Sequence, residues 1–407
     1  MKNKKPILFY GYIILAAAFC IRTTAWGANR TFGVFLEPML NEFGWTRAGI
    51  SGPYTLAMIL TGVTGIVAGR LTDRFGPSIV VVGCGLLLGL GYILMSRVEA
   101  IWQFYLFYGI IAGVGMGGYS TTLFSIVVRW FKKRRALMSG ILNTGPAFGI
   151  VVMPLVFTLL ISDYGWRTSY LMLGVIVLVI IVLAALFLRR DPRKMGLLPY
   201  GASKRETEGL DLQEKGLSFN KTVRTRQFWL LSVIAFCDLF LVNVIVVHIV
   251  IHMVGLGITA TTAASVLSIG AAVSIPARII IGGIADNIGY KRALTIVFIM
   301  SFLAFLLLLV ARDLWMLYVF AVIYGVGLWA SFTVMAPLIA DLFGLKSLAT
   351  NFACVIVSGT VGGAIGPVLV GYIFDITGSY QPAFMLCLLI SVIPFVSLMI
   401  LRPVTIK

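Results

Sequence analysis

Gly69-Arg70-Leu71-Thr72-Asp73-Arg74-Phe75-Gly76 returns later in the chain as Gly282-Gly283-Ile284-Ala285-Asp286-Asn287-Ile288-Gly289. Gly, Asp and Gly keep their spacing, at an offset of 213 residues. Each copy lies in a break between two long apolar runs. Glycine permits a tight turn and close helix contact. The aspartate can accept from a helix N-terminus or pair with a nearby cation, an interaction suited to gating. The offset extends outward from this unit: Thr46 pairs with Thr259, Ala136 with Ala349, Gly149 with Gly362, Pro154 with Pro367 and Gly165 with Gly378. Around Gly113-Val114-Gly115 and Gly325-Val326-Gly327 it is 212. A chain written twice in this way, in apolar runs, has a transporter architecture.

Composition agrees. Of 407 residues, 60% are hydrophobic and 12% charged, the balance of a polytopic membrane protein. Spanning runs separated by short polar, Gly or Pro breaks predict helices at 8–36, 47–69, 77–97, 101–128, 136–161, 167–188, 227–254, 260–283, 292–310, 314–340, 348–374 and 382–401. The first run is too long for the apolar core of a signal peptide. The expected fold is therefore an all-α membrane protein, with twelve transmembrane helices in two pseudo-symmetric six-helix bundles, 1–188 and 227–407. A polar, charged loop at 189–226 joins them.

The net charge of +17 does not call for nucleic acid. Twenty-five Lys and Arg residues fall on the side of the termini and the central loop, against four on the other, with Arg22, Arg30 and Arg278 inside helices. That asymmetry predicts that both termini and the central loop are cytoplasmic; the expected location is the cell (inner) membrane. Five cysteines in apolar stretches match no metal spacing and read as small core residues.

Arg278 is the residue that most needs a reason. The next charge, Asp286, is eight positions on, about 12 Å along a helix. A cation that deep in a bilayer costs at least ~2.5 kcal/mol on insertion scales. Its repeat mate is Gly65, so the scaffold does not require a charge there. Either a partner carboxylate in the protein or an anion passing through must offset that cost.

Trp130-Phe131-Lys132-Lys133-Arg134-Arg135-Ala136-Leu137-Met138-Ser139-Gly140 resembles the helix 5 signature of the monocarboxylate transporters of the major facilitator superfamily. Phe43-Gly44-Trp45-Thr46-Arg47-Ala48 and Asp191-Pro192-Arg193-Lys194-Met195-Gly196-Leu197-Leu198-Pro199-Tyr200-Gly201 resemble the bacterial oxalate/formate-type branch of the same group. The resemblance implies that Arg278, on helix 8, pairs with the substrate carboxylate. It also implies two departures. Ser274 stands where the proton-coupled animal members carry an aspartate. Arg30, in Asn29-Arg30-Thr31-Phe32-Gly33, stands where they carry a coupling lysine, and an arginine holds its proton too tightly to shuttle it.

Other residues complete the candidate site. Tyr119, beside Gly117 and Gly118, offers a hydroxyl donor or else packs in the bundle. His248 and His252, one turn apart, make a weak zinc pair; His248 is the better candidate, as substrate donor or proton carrier. Asp238 is the acidic residue deepest in a helix, either protonatable or ion-paired with Arg22. Trp329 is a candidate apolar wall, and Asn143 and Ser358 are candidate polar contacts. Asp73 and Asp286 are the candidate gating residues.

The expected function is secondary transport of a small monocarboxylate of the lactate or pyruvate kind, by proton symport and alternating access. Its partners are a small organic anion, a proton and the lipid bilayer. It is expected to act as a monomer without cofactor or metal. The rival reading is an anion exchanger of the oxalate/formate type, with Arg278 and Arg30 as two cations. A transporter-fold membrane sensor is a third reading. An enzyme is disfavoured for want of a nucleotide loop, metal cluster or nucleophile–base pair, and drug efflux because a deep arginine suits anions.

Overall fold

The computed structural model describes residues 9–45, 47–202, 216–327 and 330–402. Among them, eleven helices are long and apolar enough to cross a membrane. One of these, Arg135–Leu186, contains Gly165 at φ 75° and ψ 162°, a conformation outside the helix region. It therefore supplies two spans, which makes twelve. In chain order they are α1 Tyr10–Phe43, α2 Arg47–Phe75, α3 Pro77–Met95, α4 Ile101–Trp130, α5 (135–164) and α6 (166–186). The second half repeats the pattern with α7 Arg226–Gly255, α8 Ala260–Ile288, α9 Tyr290–Val310, α10 in two pieces Leu314–Gly327 and Ser331–Phe343, α11 Leu348–Thr377 and α12 Gln381–Ile400.

The boundaries differ from the expected ones where helices join. α1 runs on through Phe32–Phe43 instead of stopping near 36. Pro38 lies inside this stretch, where it removes one backbone hydrogen bond without ending the helix. The α5–α6 turn narrows to Gly165 alone. In the repeated turns, Gly76 and Gly289 both take positive φ, 96° and 92°. A side chain there would be strained, which is why the repeat keeps glycine at both places.

The chain forms two compact units, Met1–Lys133 with Ile141–Gly209, and Arg134–Gly140 with Leu210–Lys407. The first residues of α5 thus pack with the second unit. In that unit, α7 and α11 make the most extensive helix pair. Gly359, Gly362 and Gly366 face the backbone of α7 at Ala235, Phe236 and Phe240, a small-residue seam of the kind that lets helices pack closely in membranes.

The central loop is fastened within each unit by extended backbone. Tyr200 N–H donates to the Trp130 carbonyl at 2.8 Å, and Leu217 N–H to the Phe343 carbonyl at 2.9 Å. Trp130 and Phe343 are repeat mates at offset 213. The duplication therefore extends to how each half holds its end of the loop. On the first unit, Trp130 Nε1 also donates to the Arg189 carbonyl at 2.7 Å, and Tyr200 packs on Phe9, Tyr12 and Phe131.

Candidate functional site

Arg278 is 5% exposed, well inside α8. Its Nη2 donates to Ser274 Oγ at 3.3 Å, and that hydroxyl donates to the Ala271 carbonyl at 2.7 Å. A long side chain on a helix leans toward the N-terminus, so the serine one turn back is the hydroxyl its own helix can offer. Ser274, 1% exposed, is a neutral partner.

Asp238, 1% exposed on α7, is held by a residue whose role the sequence did not reveal. Ser331 Oγ donates to Asp238 Oδ2 at 2.6 Å. Ser331 opens the second piece of α10, so the carboxylate sits at the positive end of a helix. Asp238 Oδ1 is buried and has no hydrogen-bond partner among the described residues. The available signal for Ser331 was its repeat mate, Tyr119, another candidate.

His248 is engaged at both ring nitrogens. Nε2–H donates to the Pro367 carbonyl at 2.9 Å, and Nδ1 lies 3.2 Å from the Tyr380 hydroxyl. A carbonyl only accepts, so Nε2 carries a proton, and Nδ1 of a neutral ring takes the tyrosine's. His252 stacks edge-on against Tyr380 and Phe384, with centroids 5.5 and 4.9 Å away. The histidine pair is thus built into an aromatic cluster with Tyr380 on the chain leading into α12. Ser358 Oγ donates to the Val355 carbonyl on its own helix and reaches the Ser232 carbonyl of α7 at 2.9 Å.

In the first unit, Tyr119 is fully buried on α4, and its hydroxyl meets no hydrogen-bond partner among the described residues. Asn143 Oδ1 on α5 accepts from Arg22 Nη1 at 3.4 Å, and the Arg22 guanidinium lies 4.7 Å from the centre of the Phe124 ring. Arg30 is exposed, where α1 passes from Tyr10–Arg30 into Phe32–Phe43. Trp329 lies outside the described residues.

Each repeated aspartate is held by contacts within its own unit. Asp73 Oδ1 accepts from Arg129 Nη2 at 3.2 Å. Asp286 accepts the backbone N–H groups of Ala136 and Leu137, each at 2.9 Å, and the Tyr290 hydroxyl at 3.3 Å. It thereby caps the start of α5, satisfying donors that a helix N-terminus leaves open. Beside it, Arg135 pairs with Asp341 at 3.2 Å. The repeat mate of Arg129 is Leu342, which is not a cation.

Two six-helix halves, repeated turns and buried polar groups define a multi-pass membrane transporter rather than an enzyme. The chain belongs to the Major Facilitator Superfamily, whose family model matches residues 14–314 and 228–407. It is similar to monocarboxylate transporter 13 of Rattus norvegicus, 26% identical over 396 residues that cover 94% of this chain and 87% of that one. It is also 26% identical to monocarboxylate transporter 2 of Homo sapiens over 398 residues, 93% of this chain and 82% of the relative. The uncharacterized MFS-type transporter YhjX of Escherichia coli (strain K12) is 25% identical over 347 residues, 83% of this chain and 82% of YhjX. Among solved structures, the proton:xylose symporter XylE superposes with a TM-score of 0.78 at 14% identity, covering 97% of this chain and 96% of the other. The E. coli fucose:proton symporter FucP gives 0.71 at 17%, covering 96% and 99%. At those identities the structures speak for the fold.

Proposed function

We propose that this chain is a secondary active transporter of small monocarboxylates such as lactate or pyruvate, a proton symporter that works by alternating access of its two halves. The observation that carries this reading is Arg278: a guanidinium 5% exposed inside α8, at a place whose repeat mate is Gly65. A carboxylate is the ligand that matches it. Similarity to monocarboxylate transporters over nearly the whole chain supports the same class of substrate. Tyr119 supports it from the first half, since its buried hydroxyl has no partner among the described residues.

Proton coupling follows from charge. Moving an anion alone into an inside-negative cell costs ~2.3 kcal/mol per 100 mV, and one proton cancels it. Asp238 is the better carrier than His248. The histidine has both nitrogens bonded, whereas Asp238 Oδ1 has a position open for a proton. Asp73 and Asp286 act as gating residues in the repeated turns, and the chain functions as a monomer in the inner membrane with cytoplasmic termini, as its Lys and Arg asymmetry supports.

Uptake of labelled lactate into proteoliposomes tests the reading. Uptake driven by an inward pH gradient and lost in Arg278→Ala is expected; uptake that ignores the gradient rejects the coupling. One observation favours exchange of oxalate/formate-type anions instead: Arg30 is exposed and offers a second cation for a dicarboxylate. Trans-stimulation of one acid by another, without net current or pH change, selects that reading.

A further inference from the structure

α8 meets the first turns of α5 with no side chain between the two backbones. A Cβ placed on Gly140 would collide with the carbonyl oxygen of Arg278, with Arg278 C at 3.1 Å and the Thr333 Cγ2 methyl at 3.2 Å. A Cβ on Gly282 would meet the Ala136 carbonyl oxygen at 2.5 Å and Leu137 Cα at 3.0 Å. Asp286 closes the row by accepting from Ala136 and Leu137. The tight contact therefore runs along α8 from Arg278 to Asp286.

We infer that Gly140 is a positioning residue for the substrate-binding arginine. The inference rests on the reading of Arg278 as the carboxylate contact. The side chain of Arg278 leans back along its helix to Ser274, so its head follows the height and rotation of its own peptide. That peptide is the part of α8 on which Gly140 rests, and the Thr333 methyl of α10 lies against the same glycine. A methyl group at Gly140 must part the helices at this point. A binding group needs its placement held to about 0.5 Å, and a two-pronged contact loses its alignment first. Gly282 lies a turn further along and rests on Ala136, not on the arginine. The helix 5 signature thus ends on a glycine that bears on the substrate contact, although no side chain of that motif need touch substrate.

The experiment is pyruvate binding to the purified full chain in detergent, with thermal unfolding as a check of folding. The variants are Gly140→Ala, Gly283→Ala, Arg278→Lys and the double variant Gly140→Ala with Arg278→Lys. Gly140→Ala is expected to weaken binding about tenfold, the order a sub-ångström misplacement costs. Gly283→Ala serves as control, since its Cβ would meet only the end of Leu137 at 3.8 Å; it is expected to bind as wild type. In the Arg278→Lys background Gly140→Ala should cost little more, because coupled sites are not additive. Equal losses in both backgrounds, an equal loss in Gly283→Ala, or no loss in Gly140→Ala overturns the inference. Arg278→Lys binding like wild type rejects the clamp reading itself, and this inference with it. If Gly140→Ala does not fold, Thr333→Ser decides. It deletes the methyl at the junction without adding bulk, and about threefold weaker binding is expected on the same grounds. Unchanged affinity overturns the inference.

Discussion

Ser331 donates its hydroxyl to Asp238 across 2.6 Å, joining α10 to α7 inside the second unit. The bond occupies one carboxylate oxygen and leaves Oδ1 without a partner among the described residues. Asp238→Asn keeps the shape and the serine contact but cannot exchange a proton. Accumulation of lactate driven by a pH gradient should fall at least about tenfold, while lactate counterflow continues. Gradient-driven uptake at the wild-type level would remove Asp238 as the carrier. The magnitude assumes loss of a driving force near one pH unit, about 1.4 kcal/mol.

Arg278→Lys retains the charge and discards the fork. A charge-assisted bond contributes about 1.5–3 kcal/mol, so one lost prong should weaken carboxylate binding roughly tenfold to a hundredfold. Isothermal titration with pyruvate checks it. The methyl ester of pyruvate, which lacks the charge, should bind poorly to wild type and variant alike.

Tyr119→Phe removes a buried hydroxyl that has no partner among the described residues. Leaving such a group unsatisfied costs about 1–3 kcal/mol, so the variant should be at least as stable as wild type by thermal unfolding. If the hydroxyl serves substrate, KM for lactate rises several-fold at the same time. Higher stability with unchanged KM would assign Tyr119 to packing.

Asp286→Ala strips the cap from the start of α5. Two backbone N–H groups lose their acceptor, and caps of this kind are worth about 0.5–2 kcal/mol. Thermal unfolding should show the loss, and Asp286→Asn should recover part of it. A variant as stable as wild type would show that water replaces the carboxylate there.

His248→Gln is expected to affect folding more than transport. The imidazole joins the Pro367 carbonyl to the Tyr380 hydroxyl, so the unfolding temperature should drop by the loss of neutral hydrogen bonds of about 0.5–1.5 kcal/mol each, while KM for lactate stays nearly unchanged. A large rise in KM with normal stability would return His248 to the substrate.

The twelve spans, the duplication and the place of Arg278 inside a helix were legible in the chain. Each depends on local physics: apolar length against bilayer thickness, glycine at turns that need positive φ, and the cost of a cation in lipid. Gly76 and Gly289 illustrate it, because no other residue takes φ values of 96° and 92° without strain. What depended on tertiary structure was which groups meet across helices. Ser331 lies 93 positions from Asp238, and Tyr380 lies 132 from His248. The partners of the repeated aspartates were equally hidden: Asp73 takes a guanidinium from α4, and Asp286 takes two N–H groups from α5. Hydrophobic periodicity selects the helix and its buried face, but not the register of one helix against another. That register follows from backbone contacts such as Gly140 on Arg278, which exist only once the helices have packed.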